Sequence, residues 1–349
     1  MENQNMMKNN PIGGGRIEIL DILKGYAILM VVFGHVLLFS FHGTDPNSYN
    51  KVLETINMPI FFFVSGYILW KPNDKWSVTK GLKFLFNKFK VLVLSAIVFL
   101  CIYSYFWHFG FHQVLHSCTK MGYWFTIELF QYYFLYVCTH ALFDRLGKKW
   151  TEVVLILLAF FALVISIKPW SVIPRGLYDA LDLTFMRHFV FFYLGTVTRR
   201  YQQLFEKAID NSKIMCVFLV AYFICIVLVT DYYIFPYSLV LDNLMGLFGI
   251  VTVFALFRKY EASFSRNTRV GKVLQYVGRH TLDIYFLHYF LLPRNLSVFG
   301  EFLQVNSNPV IELVLGLSIA VVVIAISLMI SNVIRISPLL AHILFGAKR

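Results

Sequence analysis

Lys24 and His35 stand eleven residues apart in an otherwise apolar run. At about 100° per residue, that spacing puts both side chains within about 20° of one helical face and about 16 Å apart along the axis. Val31, Val32, Phe33 and Val36 surround the imidazole. An ionisable group in such surroundings is costly unless it faces a protein interior or a wet cavity. A neutral imidazole can take a proton from a hydroxyl as general base, or can itself carry an acyl group. Lys24 offers a point charge to a phosphate or a carbonyl. The plainer alternatives are a core histidine bonded to another helix, and a lysine that snorkels outward and pairs with Asp21.

Other residues carry weaker signals. Ser65 precedes Gly66, a pattern that serves close helix packing or a substrate hydrogen bond. Glu128, Arg187, His188 and Asp283 interrupt apolar stretches and are expected to face inward, with Arg187 pairing to an acid such as Glu128 or Asp182. The Lys71–Lys90 segment holds six lysines and one acid, Asp74. It suits a polyanion or an anionic lipid surface, and Lys88 and Lys90 lie at the entry to the next apolar stretch. His108, His112 and His116 fall at i, i+4 and i+8, with Cys118 following. That spacing could serve zinc, but Gly110 interrupts it, and an interfacial segment without a metal is the expected outcome. The five cysteines form no CxxC and no disulfide framework.

The elements that must position these groups are membrane helices. Of 349 residues, 58% are hydrophobic and 14% are charged, against roughly 25% charged in a soluble domain. Mean hydropathy is +0.66. The pattern predicts an all-α polytopic integral membrane protein with about ten transmembrane helices. They are expected near 19–40, 53–70, 91–107, 122–142, 151–168, 181–198, 214–230, 238–257, 280–298 and 309–334, the second broken or started at Pro59. Lys and Arg concentrate in alternate loops, 25 on one side and five on the other, with Arg187 inside a span. That bias predicts both termini in the cytoplasm. It also accounts for the net charge of +12 without nucleic acid as a partner. The polar, Asn/Gly-rich residues 1–15 read as a disordered cytoplasmic lead-in, 16–340 as the transmembrane domain and 341–349 as a cytoplasmic tail. The first apolar run is long and no small-residue cleavage site follows it, so it is expected to remain as an anchor.

Several motifs now combine. Leu20-Asp21-Ile22-Leu23-Lys24-Gly25-Tyr26-Ala27-Ile28-Leu29 with Val32-Phe33-Gly34-His35 resembles the first helix of the membrane-bound acyltransferase-3 family, which carries a basic residue, ten positions and a histidine. Met58-Pro59-Ile60-Phe61-Phe62-Phe63-Val64-Ser65-Gly66-Tyr67 resembles its second-helix signature, and Tyr123-Trp124-Phe125 its Trp-Phe opening of the fourth helix. Phe192-Tyr193-Leu194-Gly195 and Leu282-Asp283-Ile284-Tyr285-Phe286-Leu287-His288 look like later landmarks. The chain departs by carrying Lys24 where arginine is usual, and an inner loop with lysines but no paired arginines or proline. The resemblance implies transfer of an acyl group, usually acetyl, from cytoplasmic acyl-CoA to a hydroxyl of an extracytoplasmic or lipid-linked glycan at the plasma or inner membrane. His35 and Lys24 would then be catalytic. Lys24, Lys88 and Lys90 would hold acetyl-CoA, and Ser65, Glu128, Arg187 and His288 would line the acceptor side. A rival class, a flippase or transporter for a glycan or lipid-linked substrate, would more naturally show internal repeat symmetry, which this sequence lacks.

Overall fold

A computed structural model describes residues 17–41, 49–117, 119–167, 172–231, 237–305 and 308–346. Cys118 and Lys168 lie outside them. Every regular element among the described residues is helical. The longer helices are α1 (Glu18–His35), α2 (Tyr49–Leu69), α3 (Val78–Lys88), α4 (Ser95–Phe106), α5 (Trp124–Phe143) and α6 (Lys148–Ile165). They continue with α7 (Phe189–Arg200), α8 (Ser212–Asp231), α9 (Tyr237–Lys259), α10 (Arg269–Arg279), α11 (Thr281–Leu291) and α12 (Pro309–Ile334).

Among the described residues, four stretches are long and apolar enough to cross a membrane: Glu18–Ser40, Val78–Phe106, Leu239–Lys259 and Pro309–Ile334. The Gln202–Ile209 helix and Ser212–Leu228 of α8 would add a fifth if they form one span bent by 82°. The stretches expected near 53–70, 122–142, 151–168 and 214–230 are helices of about the expected length, and two others are cut short. The stretch expected at 181–198 begins as a 3-10 turn, Leu183–His188, before α7. The stretch expected at 280–298 ends its helix at Leu291, two residues before Pro293, where the ring's steric demand on the preceding residue discourages helix. Pro59 does not break α2, contrary to the expectation, and lies inside it. A proline leaves the carbonyl four residues earlier without its helical donor, and α9 closes over that Thr55 carbonyl at Gly246.

The centre of the fold is set by how closely α1 and α2 are approached. α1 packs along α2, α10, α12 and α11, and α2 packs along α7. The α2–α7 crossing brings backbone to backbone in both directions. A Cβ on Gly66 would sit 1.9 Å from the Phe192 carbonyl oxygen, and one on Gly195 would sit 2.0 Å from that of Phe63. This is the small-residue packing that lets membrane helices interlock without a hydrophobic drive between them.

The two ends of the bundle differ in polarity. At one end Glu18 pairs with Arg266 at 2.8 Å, and Asp283 accepts a forked pair of bonds from Arg335, 2.9 Å each. At the same end of α9, Arg258 donates to Asp210 at 2.8 Å and holds its carboxyl below the usual carboxylate range. At the other end lie Trp107, Lys120, Asp182 and Arg294, reached by α4 and α11 as they run away from the basic end.

Gly66→Ala should therefore force α2 and α7 apart and lower the thermal unfolding midpoint in detergent, at a cost of about 1–3 kcal/mol. Ser65→Ala, at the neighbouring half-buried position, should leave that midpoint nearly unchanged.

Candidate active site

α1 and α11 carry their histidines to the same point. His35 Nδ1 lies 2.8 Å from His288 Nε2. The ring planes differ by only 4°, with centroids 5.1 Å apart, so the two imidazoles meet nearly edge to edge in one plane. His288 is fully buried and its Nδ1 lies 3.0 Å from the Ile284 carbonyl oxygen, one helical turn back. A carbonyl can only accept, so His288 Nδ1 carries a proton. In the neutral ring, His288 Nε2 is then an acceptor, and His35 Nδ1 must donate to it. That assignment leaves the His35 Nε2 lone pair as the basic site.

A phenol already sits on that lone pair. Tyr289 Oη donates to His35 Nε2 at 3.2 Å, in the manner that a reacting hydroxyl would. Tyr289 is packed against Tyr123, with ring centroids 5.4 Å apart, and against Phe39 at 6.1 Å. Its other support is the turn before α5. There Lys120, Met121 and Gly122 all have positive φ, at 46°, 50° and 98°. A Cβ on Gly122 would fall 2.1 Å from the Tyr289 phenol carbon and oxygen, so only glycine lets the turn and the phenol share this space. Tyr285 Oη donates to the Gly122 carbonyl at 2.6 Å, and Tyr123 Oη to that of Phe286 at 2.9 Å.

Lys120 is what fastens this turn. It is 1% exposed, and its ammonium donates to Asp182 Oδ1 at 2.8 Å, to the Asp179 carbonyl at 2.6 Å and to the Ser117 carbonyl at 3.0 Å. A buried ammonium is tolerated when its donors are all directed to acceptors. From the sequence, Lys120 counts only as a loop charge.

The other expected site residues are dispersed. Lys24 is half-buried one face-repeat away from His35 and pairs with Asp21 at 2.8 Å. Ser65 lies half-buried beside the α2–α7 contact. Arg187 does not pair with Glu128 or Asp182, as the sequence suggested; it lies 3.8 Å from Asp242 on α9, because Asp182 is taken by Lys120. Glu128 is fully buried and neither of its carboxyl oxygens has a hydrogen-bond partner among the described residues. Its neighbour Tyr132 donates instead to the Phe185 carbonyl at 2.8 Å. Among the described residues, Glu128 is thus a buried carboxyl with no donor at hydrogen-bond distance and geometry, a costly state. Lys88 rests over Tyr133 at 4.6 Å and Lys90 over Phe86 at 4.3 Å, and neither makes an ion pair among the described residues. Asp283, with Arg335, Ser331 and His280 around it, is part of a structural clamp at the base of α11. The described residues hold no group of three potential metal ligands, and His112 and His116 stack on each other at 4.1 Å.

The places of Tyr289, Tyr123 and Lys120 at the site escape the sequence reading, which has Tyr123 only within a motif and Lys120 only as a loop charge. Tyr289 follows His288 directly, yet nothing in its spacing says that it turns toward α1.

A family model described as an acyltransferase domain matches residues 17–331. No curated protein and no solved structure matches the chain.

Lys120→Met should leave Asp182 buried and uncompensated and should destabilise the protein by about 3–5 kcal/mol. A fall in the thermal unfolding midpoint in detergent measures it, and a midpoint within a degree of wild type would show that the pair is not what fastens the turn.

Proposed function

The chain belongs to the acyltransferase-3 family, and on that premise we propose that it is a multi-pass membrane O-acyltransferase moving acetyl from acetyl-CoA to a hydroxyl of an extracytoplasmic or lipid-linked glycan. The observation that carries this reading is the bonding order Ile284 carbonyl, His288, His35, which leaves His35 Nε2 unprotonated and accepting from Tyr289 Oη, whose place the acceptor hydroxyl takes. In this reading the acceptor oxygen bonds to the thioester carbon while its proton passes to His35 Nε2. The imidazolium that forms is stabilised because its Nδ1–H already donates to His288. The C–S bond then breaks, and the thiolate leaves with the proton from His35. His288 acts as a positioning residue, fixing the tautomer and plane of the base as outer partners do for other functional histidines.

Ten membrane spans with both termini in the cytoplasm, in a plasma or inner membrane, fit the loop charge bias. Acetyl-CoA then approaches the basic end of the bundle. Lys24, half-buried on the face that leads to His35, and Lys88 and Lys90, which make no ion pair among the described residues, are the cations assigned to its phosphates. Glu128, Ser65 and Arg187 are assigned to the acceptor side. Glu128 has the clearest support among these, because among the described residues its buried carboxyl oxygens make no hydrogen bond and sugar hydroxyls are donors.

Membranes carrying the protein are to be incubated with labelled acetyl-CoA and the label followed into glycan. His35→Ala should reduce transfer by at least about 10²-fold, the scale of general-base catalysis. His288→Ala should lower kcat while leaving KM for acetyl-CoA in place. Equal labelling by wild type and His35→Ala would end the catalytic assignment. Glycan movement across the membrane without acetyl-CoA, and with no label incorporated, would favour a flippase.

A further inference from the structure

The end of the bundle away from the basic loops holds a cation that the mechanism above does not use. Arg294 follows α11 by three residues, and Trp107 directly follows α4. The Arg294 guanidinium carbon lies 3.6 Å above the Trp107 ring centroid, and its Nη2 donates to Tyr103 Oη at 3.0 Å. No carboxylate pairs with it among the described residues. Its described neighbours at this end are different: Lys120 is saturated by Asp182 and two carbonyls, and Arg175 reaches Asp179. A guanidinium offers five N–H donors in one plane, and the contact with Tyr103 engages one of the nitrogens.

The platform is also connected to the base. Tyr103 and Tyr123 ring centroids are 6.3 Å apart, Tyr123 and Tyr289 5.4 Å, and Tyr289 and His35 4.9 Å. One wall of aromatic rings therefore runs from Arg294 to the unprotonated nitrogen. Trp107 is 39% exposed, so the platform can be reached from outside the bundle. Stacking on the indole pre-orders the planar fork, which is the form in which arginine binds carboxylate or phosphate through two parallel bonds.

We propose that Arg294, laid on Trp107 and tied to Tyr103, is the recognition point for an oxyanion carried by the acceptor, a carboxylate or a phosphate, and that the acceptor is therefore an acidic glycan. This rests on the acyltransferase reading for what happens to the acceptor, though not for its binding. A flat guanidinium discriminates by geometry as well as by charge, so lysine at the same position is only a partial substitute.

The test uses the full chain purified in neutral detergent. Binding is measured without acetyl-CoA for three probes: a disaccharide with one uronic carboxylate, its carboxyl-reduced neutral counterpart, and the neutral disaccharide bearing a phosphate monoester. Transfer from labelled acetyl-CoA is then measured with the same three probes. Wild type should prefer one or both acidic probes by about tenfold or more, the scale of one charge-assisted hydrogen bond. Arg294→Gln should abolish that preference, raising acceptor KM but not KM for acetyl-CoA, and Arg294→Lys should fall between. The carboxylate and phosphate arms tell which oxyanion is read. Equal binding of acidic and neutral probes by wild type, or a preference unchanged in Arg294→Gln, overturns the proposal. So does an Arg294 effect that appears only as a response to anionic lipid in nanodiscs, since that would assign the site to headgroups. If Arg294→Gln does not fold, wild type, Arg294→Lys and Trp107→Phe give the same comparison. Arg294-dependent binding of an acidic probe with no acetyl transfer would instead fail the acyltransferase reading and leave the binding site standing.

Discussion

One proton, placed between two imidazoles, sets the character of this site. The Ile284 carbonyl fixes a hydrogen on His288 Nδ1, His288 Nε2 then accepts, and His35 is held in the tautomer with a basic Nε2. The near coplanarity of the rings makes the bond directional. Without the second histidine, His35 would be free to present either nitrogen. The rest of the structure can be understood as what keeps two helices from different parts of the chain at the register this bond requires.

Three supports do this at different levels. The base of α11 is held to α12 by the Arg335 fork on Asp283, reinforced by Ser331 Oγ at 2.5 Å. Five residues on, His288 faces α1. The far side of the same helix is capped by the left-handed turn at Lys120–Gly122, which backs Tyr289 and accepts from Tyr285. That turn costs backbone strain at two non-glycine residues, and the buried Lys120–Asp182 pair holds it in place. On the other flank α2 and α7 interlock through backbone contacts at Gly66 and Gly195, giving α1 a stiff neighbour.

Polarity is divided along the bundle in a way that matches a two-sided reaction. At the basic end some cations are paired with acids, as in Glu18–Arg266 and Arg258–Asp210, and others rest on aromatic faces, as with Lys88 and Lys90. The opposite end has aromatic rings leading from Arg294 to His35. Between the two, α1 carries Lys24 and His35 on one face, so a single helix connects the region assigned to the donor with the region assigned to the acceptor.

Much of this was legible in the amino-acid sequence, and its limits have a physical cause. Apolar run length, loop charge and the Lys24–His35 spacing are local properties, and they determined an all-helical membrane protein with a lysine and a histidine on one face of its first helix. The motif order also pointed to the acyltransferase family. Helix ends were less legible, because Pro59 is absorbed by the packing of α9 and the stretch before α7 tightens into a 3-10 turn. What only the tertiary structure decided are pairings between distant segments: His35 with His288, Lys120 with Asp182, Arg187 with Asp242, and Arg294 with Trp107. Periodicity fixes which face of a helix a residue occupies, but the partner across that face depends on how helices cross, and Tyr289 reaches His35 only because Gly122 leaves the room.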